Sequence, residues 1–287
     1  MNKNLLELTS DVVFKAFMLS DNTKKYKARL LHLVTGIPYE ELLNATYVSK
    51  EFPANNKKDK RYRSDIVVDL DRHILNCEMN NQYYQGLFIK NNHYINKISG
   101  DSFDKGENYI DMVDITQINI DNFTKYKGNK LVYEFSMYEK DTRELEEKGL
   151  KSYHIDLDYL RKKCYNIEKL NVLEKMLMLF IVESFDELRS DIYMEPYMQE
   201  AMEELERISR DDKIIGLYDA EKVDKKIRNT QIKGARMEGI EEGIEEGMKK
   251  SRVEIACNLL EMGISIEQIH EATSLPIDEI EKLANKI

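Results

Sequence analysis

The 287-residue chain is 42% hydrophobic and 33% charged, which supplies a packed core and excludes a wholly disordered protein. Its net charge of −10 excludes a protein that coats nucleic acid through bulk positive charge. The charge is uneven, however: residues 1–63 carry 12 Lys and Arg against 7 Asp and Glu, residues 64–199 carry 17 against 25, and residues 200–287 carry 14 against 21.

Along the chain, Ser10 is placed as the N-cap of a helix over 10–20 whose apolar face is Val13, Phe14, Phe17 and Met18. A second helix is expected over 23–35, stopping at Gly36 ahead of Pro38, and a strand over 44–53. Lys57, Lys58, Lys60 and Arg61 fill a polar stretch at 54–61, where a solvated loop and a phosphate contact explain them equally well. Two strands, 62–70 and 73–80, follow with a tight turn between them, and then a helix over 82–100. Further strands are expected at 115–123, 130–139 and 152–160, before the pattern turns helical from 166 with an apolar helix at 170–183.

The tail repeats glycine every four residues at Gly239, Gly243 and Gly247, with glutamates between, which suits a pliable helical linker or a self-association stripe. Amphipathic helices at 253–264 and 266–284 follow, with breaks near Ser265 and Pro276. They have the rhythm of a helix-turn-helix but no basic cluster, so simple helix packing is the stronger reading. The order predicts an α/β core over 1–165, a helical extension over 166–230, and a Gly/Glu-rich linker with a small helical tail over 231–287. Met176–Val182, the longest strongly apolar run, is too short to cross a bilayer, and Met1–Ser10 does not read as a signal peptide. Cys77, Cys164 and Cys257 lack zinc-site spacing and are expected as free thiols, so a cytoplasmic protein with no membrane partner is expected.

The chemistry concentrates in Arg63 to Asn80. On the first strand Ile66, Val68 and Leu70 share one face and Asp65, Val67 and Asp69 the other; on the second, Leu75, Cys77 and Met79 oppose Asn76, Glu78 and Asn80. A hairpin closed about Asp71-Arg72 sets Asp65 directly opposite Glu78, with Cβ atoms about 4.5–5.5 Å apart. Two carboxylates so close repel, and one tends to hold a proton. A bridging divalent cation removes the conflict, and hard oxygen donors suit Mg²⁺ or Mn²⁺. On the pattern alone, a solvent-exposed polar face on an ordinary hairpin explains the segment equally well. The histidines show no ligand-like pairing, and Tyr83, Tyr84 and Tyr94 suit helix packing better than base stacking.

An Asp at one strand end, then an acidic and a polar residue at Glu-x-Lys spacing, resembles the core of the PD-(D/E)XK nucleases. Within that superfamily the chain is similar to the Rpn group of recombination-promoting nucleases and nuclease family transposases. The likeness is carried by Ser10-Asp11-Val12-Val13-Phe14-Lys15, Ser64-Asp65-Ile66-Val67-Val68, Cys77-Glu78-Met79-Asn80 and Phe88–Tyr94. Lys105–Tyr109, Thr116–Ile120 and the Gly/Glu-rich tail extend it along nearly the whole chain. The resemblance implies a restriction-endonuclease-like core, a mixed central sheet flanked by helices, with an all-helical tail. It implies a Mg²⁺- or Mn²⁺-dependent DNA endonuclease in which Asp65, Glu78 and the Met79 carbonyl hold the metal. Asp11 would be an additional acidic residue of the site, although a helix-start residue favoured by the helix dipole explains it equally well. Lys57, Lys58, Lys60, Arg61 and Lys90 would position DNA, and the C-terminal helices could join copies of the chain. The departure is Asn80, where the superfamily usually has Lys and this group Gln. An amide cannot act as a general base but can orient a water. Gln82 or Lys90 are candidates to replace the missing group, and a catalytically silent DNA-binding or protein-interaction module is the alternative.

Overall fold

The computed structural model describes residues 5–52, 62–101, 113–146, 150–163, 169–188 and 195–285. The chain forms two compact units, Met1–Glu221 and Lys222–Ile287. In the first, helices α1 (Asp11–Leu19), α2 (Lys24–Thr35) and α3 (Tyr39–Asn44) precede strands β1 (Thr46–Val48), β2 (Glu51–Phe52), β3 (Tyr62–Arg63), β4 (Ile66–Leu70) and β5 (His73–Asn80). Then come α4 (Leu87–Asp101), β6 (Asp114–Asp121), β7 (Val132–Phe135), β8 (Lys151–Asp156), α5 (Leu157–Lys163), α6 (Val172–Leu177), α7 (Phe185–Leu188) and α8 (Pro196–Ile208). The central sheet has six strands in the order β1-β4-β5-β6-β8-β7. It is mixed: β5, β6 and β8 run parallel, while β1, β4 and β7 pair antiparallel with their neighbours.

Period-two alternation gives this sheet one apolar and one polar face. Ile66, Val68, Leu75, Cys77, Ile118, Ile120, Tyr153 and Ile155 join a core with Phe14, Phe17, Tyr26 and Leu30 from α1 and α2. Each such large apolar side chain stabilises the fold by about 1.5–3 kcal/mol when fully buried. The opposite face carries Asn76, Glu78 and Asn80 on β5, Gln117, Asn119 and Asp121 on β6, and His154 on β8, all buried.

Several boundaries differ from the sequence expectation for local reasons. The strand expected over 44–53 is two short pieces behind α3, whose last residue is Asn44. The strand expected over 152–160 ends at Asp156, because its carboxylate accepts the Tyr159 N–H at 2.8 Å and starts α5 as a cap would. The helix expected over 170–183 begins at an Asn171–Glu174 capping box and tightens to a 3₁₀ turn over Met178–Phe180. Gly36 ends α2 in the left-handed conformation, as its position suggests.

Helix α9 (Asp212–Glu261) is continuous through the glycine repeat. The second unit contains most of it, together with α10 (Ile266–Thr273) and α11 (Ile277–Ala284). The expected helix over 266–284 is two helices, because Ser274 takes a left-handed conformation two residues before Pro276. Ala256, Ile269, Leu275 and Ile280 form this unit's core, which fits helix packing. Cys77 and Cys257 are free thiols, and Cys164 lies outside the described residues. Among the described residues, no helix is long and apolar enough to cross a membrane.

Candidate active site

The β4–β5 hairpin pairs Leu70 with His73 and Ile66 with Cys77, leaving Asp71-Arg72 as its turn. One further step in that register sets Asp65 opposite Glu78. Both are buried, at 7% and 2% exposure. Backbone bonds lock the pair: the Asp65 N–H donates to Glu78 Oε1 at 3.3 Å, and the Met79 N–H donates to Asp65 Oδ2 at 3.0 Å. Ser64 Oγ donates to Glu78 Oε1 at 3.1 Å and also bonds the Asn76 amide oxygen. Burial, and then the charge of Asp65, push the Glu78 carboxyl up to about 8, against the pull of Lys90 and its hydrogen bonds.

Among the described residues, two lysines reach the pair. Lys15, on α1, sets Nζ 2.8 Å from Asp65 Oδ1, and Lys90, on α4, sets Nζ 3.9 Å from Glu78 Oε2. Asp11, at the first position of α1, belongs to the same electrostatic neighbourhood. Asp11 itself is exposed, yet partial desolvation, then the charges of Asp65 and Glu221, raise its carboxyl to about 6. Glu221, in α9, caps α1: it accepts from Ser10 Oγ at 2.6 Å and from the Asp11 and Val12 N–H groups at 3.2 Å. Ser10 therefore holds the cap position without using its own oxygen on the helix.

Asn80 is committed within the protein. Its Nδ2 donates to Asp121 Oδ1 at 2.8 Å, and its Oδ1 accepts from Asn91 Nδ2 at 3.3 Å. Asp121 Oδ2 also faces His154 Nδ1 at 2.8 Å, while His154 Nε2 accepts from Asn119 Nδ2 at 3.2 Å. Asn91 donates at 2.7 Å to Asn119 Oδ1, which also accepts from Gln117 Nε2. A row of buried amides thus runs from the carboxylate pair across β6 and meets His154 on β8. Tyr94 packs inside, whereas Tyr83 and Tyr84 are exposed and Lys125 Nζ lies 4.0 Å from the Tyr83 ring centre.

The candidate residues Asp65, Glu78, Asn80 and Lys90 therefore share one sheet face and the helix over it. Lys57, Lys58, Lys60 and Arg61 lie outside the described residues. Lys15 and the β6 amides Gln117 and Asn119 lie in stretches that carry the resemblance but were given no part in the site, and Glu221 was not singled out. The alternation Gln117-Ile118-Asn119-Ile120-Asp121 carries a signal for the amides, because it repeats the polar-face pattern of β5.

Among the described residues, no three His, Cys, Asp or Glu side chains converge as a complete metal cage. Asp65 and Glu78 nonetheless fit a hard divalent cation, since Mg²⁺ keeps several waters and commonly takes only one or two protein carboxylates. Their mutual repulsion in a buried setting is also what a cation relieves.

A family model described as PD-(D/E)XK nuclease family transposase matches residues 8–234. No curated protein and no solved structure matches the chain.

Proposed function

The chain belongs to the PD-(D/E)XK nuclease family transposases, and from that premise we propose that it is a metal-dependent endonuclease hydrolysing DNA phosphodiester bonds. The observation that carries the reading is the buried, opposed Asp65–Glu78 pair, which is costly without a cation. Asp65 and Glu78, with the Met79 carbonyl, would hold Mg²⁺ or Mn²⁺. Such an ion acidifies water and neutralises charge on the scissile phosphate. In the overall step a water oxygen bonds to phosphorus and the bond to one sugar oxygen breaks. That sugar oxygen leaves with the electron pair and takes a proton, and the water's proton passes to solvent.

The protein's own residues orient the reactants. Lys90 and the basic stretch Lys57, Lys58, Lys60 and Arg61 would grip the backbone of DNA. Asp11 would add negative charge beside the pair, and Asn80 would keep the polar face in register. The word transposase in the family description suits a task in the movement of mobile elements or in recombination, and a cytoplasmic location is part of this proposal. Association of copies through the C-terminal helices belongs to the same proposal.

One observation favours a second reading, a catalytically silent binding module. Asn80 stands where the superfamily has an amine, and its amide is occupied inside the protein. Plasmid cleavage with Mg²⁺ or Mn²⁺ decides between them. The intact protein should nick or linearise DNA, and Asp65→Ala and Glu78→Ala should each abolish it. Absence of cleavage on supercoiled, linear and single-stranded DNA would select the silent module.

A further inference from the structure

We infer that Lys15, from α1, supplies the cation that contacts the scissile phosphate, a role that β5 leaves vacant. The inference rests on the nuclease reading. It starts from Asn80, whose amide is neutral and bonded at both ends to Asp121 and Asn91. No charge reaches the pair from that position.

Among the described residues two ammonium groups do reach the pair, and they differ. Lys15 Nζ makes a 2.8 Å ion pair with Asp65 Oδ1, with its side chain 19% exposed. Lys90 stands off at 3.9 Å from Glu78 Oε2, is 38% exposed, and lies 5.1 Å from the Tyr94 ring centre. Lys15 projects from a helix held by Val13, Phe14, Phe17 and Met18, all at most 1% exposed. Its anchor is rigid while its four-carbon stem is flexible.

This geometry gives Lys15 two successive partners. Without a metal, its ammonium compensates Asp65. With a divalent cation on the Asp65 oxygen, Lys15 would lose that partner, because two positive charges repel. Its flexible stem would then let Nζ reach the phosphate of bound DNA. There it stabilises charge developing on the phosphate oxygens and keeps its own protons throughout. Asp11 lies one helical turn before Lys15, and its carboxyl feels the charges of both Lys15 and Asp65.

The test uses full-length protein carrying Lys15→Met or Lys15→Arg, with Lys90→Met alongside, in single-turnover plasmid cleavage at saturating protein with Mn²⁺. Removing one preorganised charge partner should slow Lys15→Met about 10²–10³-fold, and Lys15→Arg should recover most of the rate. A second readout is the Mn²⁺-induced rise in melting temperature without DNA. It should persist or grow in Lys15→Met, because the competitor for Asp65 is gone. Loss of that rise would make Lys15 a structural support of Asp65 and overturn the inference. So would parent-like cleavage by Lys15→Met, or a larger rate loss in Lys90→Met than in Lys15→Met. If the parent protein cuts and Lys15→Met cuts equally, only this inference falls. If the parent does not cut under any condition, the nuclease reading falls and takes the inference with it.

Discussion

Glu78 is held where its charged form is disfavoured, and this has a thermodynamic consequence. Its carboxyl is raised toward about 8 in the fold, from an ordinary value of 4.5, chiefly by burial. The folded state therefore binds this proton more tightly than the unfolded chain does. The associated stabilisation is fully present below the unfolded value and is lost as pH rises through the folded one. Metal-free protein should thus lose urea resistance between about pH 4.5 and 8, while Glu78→Gln should stay flatter across that window. Mg²⁺ or Mn²⁺ should restore the loss at the alkaline end. Parallel pH profiles for parent and variant would show that Glu78 carries no such strain. The Asp65–Glu78 juxtaposition was legible in the sequence because strict alternation and a hairpin closed about Asp71-Arg72 set the two opposite. That dipeptide does not strongly specify a turn, so the register was an inference, which the observed pairing matches. Lys15 and Glu221 were not legible. Lys15 meets Asp65 only after helix and sheet dock, and Glu221 meets Ser10 across 211 residues, so no spacing rule reaches either.

Helix α1 shows how such a distant contact decides an element. Its first N–H groups need acceptors, and Ser10 is the residue type that supplies one locally. Here the acceptor is Glu221, which takes the Asp11 and Val12 N–H groups and orients Ser10 Oγ. The helix that carries Lys15 and Asp11 is therefore fixed from α9. Glu221→Ala should cost about 0.5–2 kcal/mol in urea unfolding, the range of a lost cap. An unchanged midpoint would mean that Ser10 turns in to cap the helix itself. The same distinction separates legible from illegible elements elsewhere. Long periodic segments such as α2, β5 and β6 were readable because each face is set by its own alternation or 3.6-residue period. Helix α3 and the Asp156 switch from β8 to α5 were not, whereas the break at Ser274 falls two residues from the one expected near Pro276. The Asp156 switch depends on a single side-chain cap, and α3 is only six residues long with Leu42 as its one buried side chain, too short for a period to show.

At the scale of the molecule, residues 222–252 of α9 pose the largest unanswered demand. The stretch is helical and almost wholly exposed, although it includes Gly234, Gly239, Gly243 and Gly247, each costing about 1 kcal/mol relative to Ala. Helices in water draw most of their stability from packing, so a covering partner is expected. Val223, Ile227, Met237, Ile244 and Met248 recur along it at helical spacing, all more than half exposed. Charge falls in blocks: residues 222–236 hold six basic and one acidic residue, and residues 237–247 hold five acidic and no basic ones. A second copy lying antiparallel, with its two-fold axis near Ala235, sets each basic block against an acidic one. The same register brings Ile227 level with the partner's Ile244 and Val223 level with the partner's Met248. A parallel arrangement stacks like blocks and gains nothing from them. Sedimentation velocity should therefore show a dimer that weakens as salt screens the blocks, since exposed charges are screened within about 10 Å at 0.1 M. Ile227→Glu and Ile244→Glu should each yield monomer with the first unit still folded. A parent that sediments as monomer at every concentration and salt would remove the second copy as the partner. A dimer indifferent to both substitutions would move the contact off this stripe.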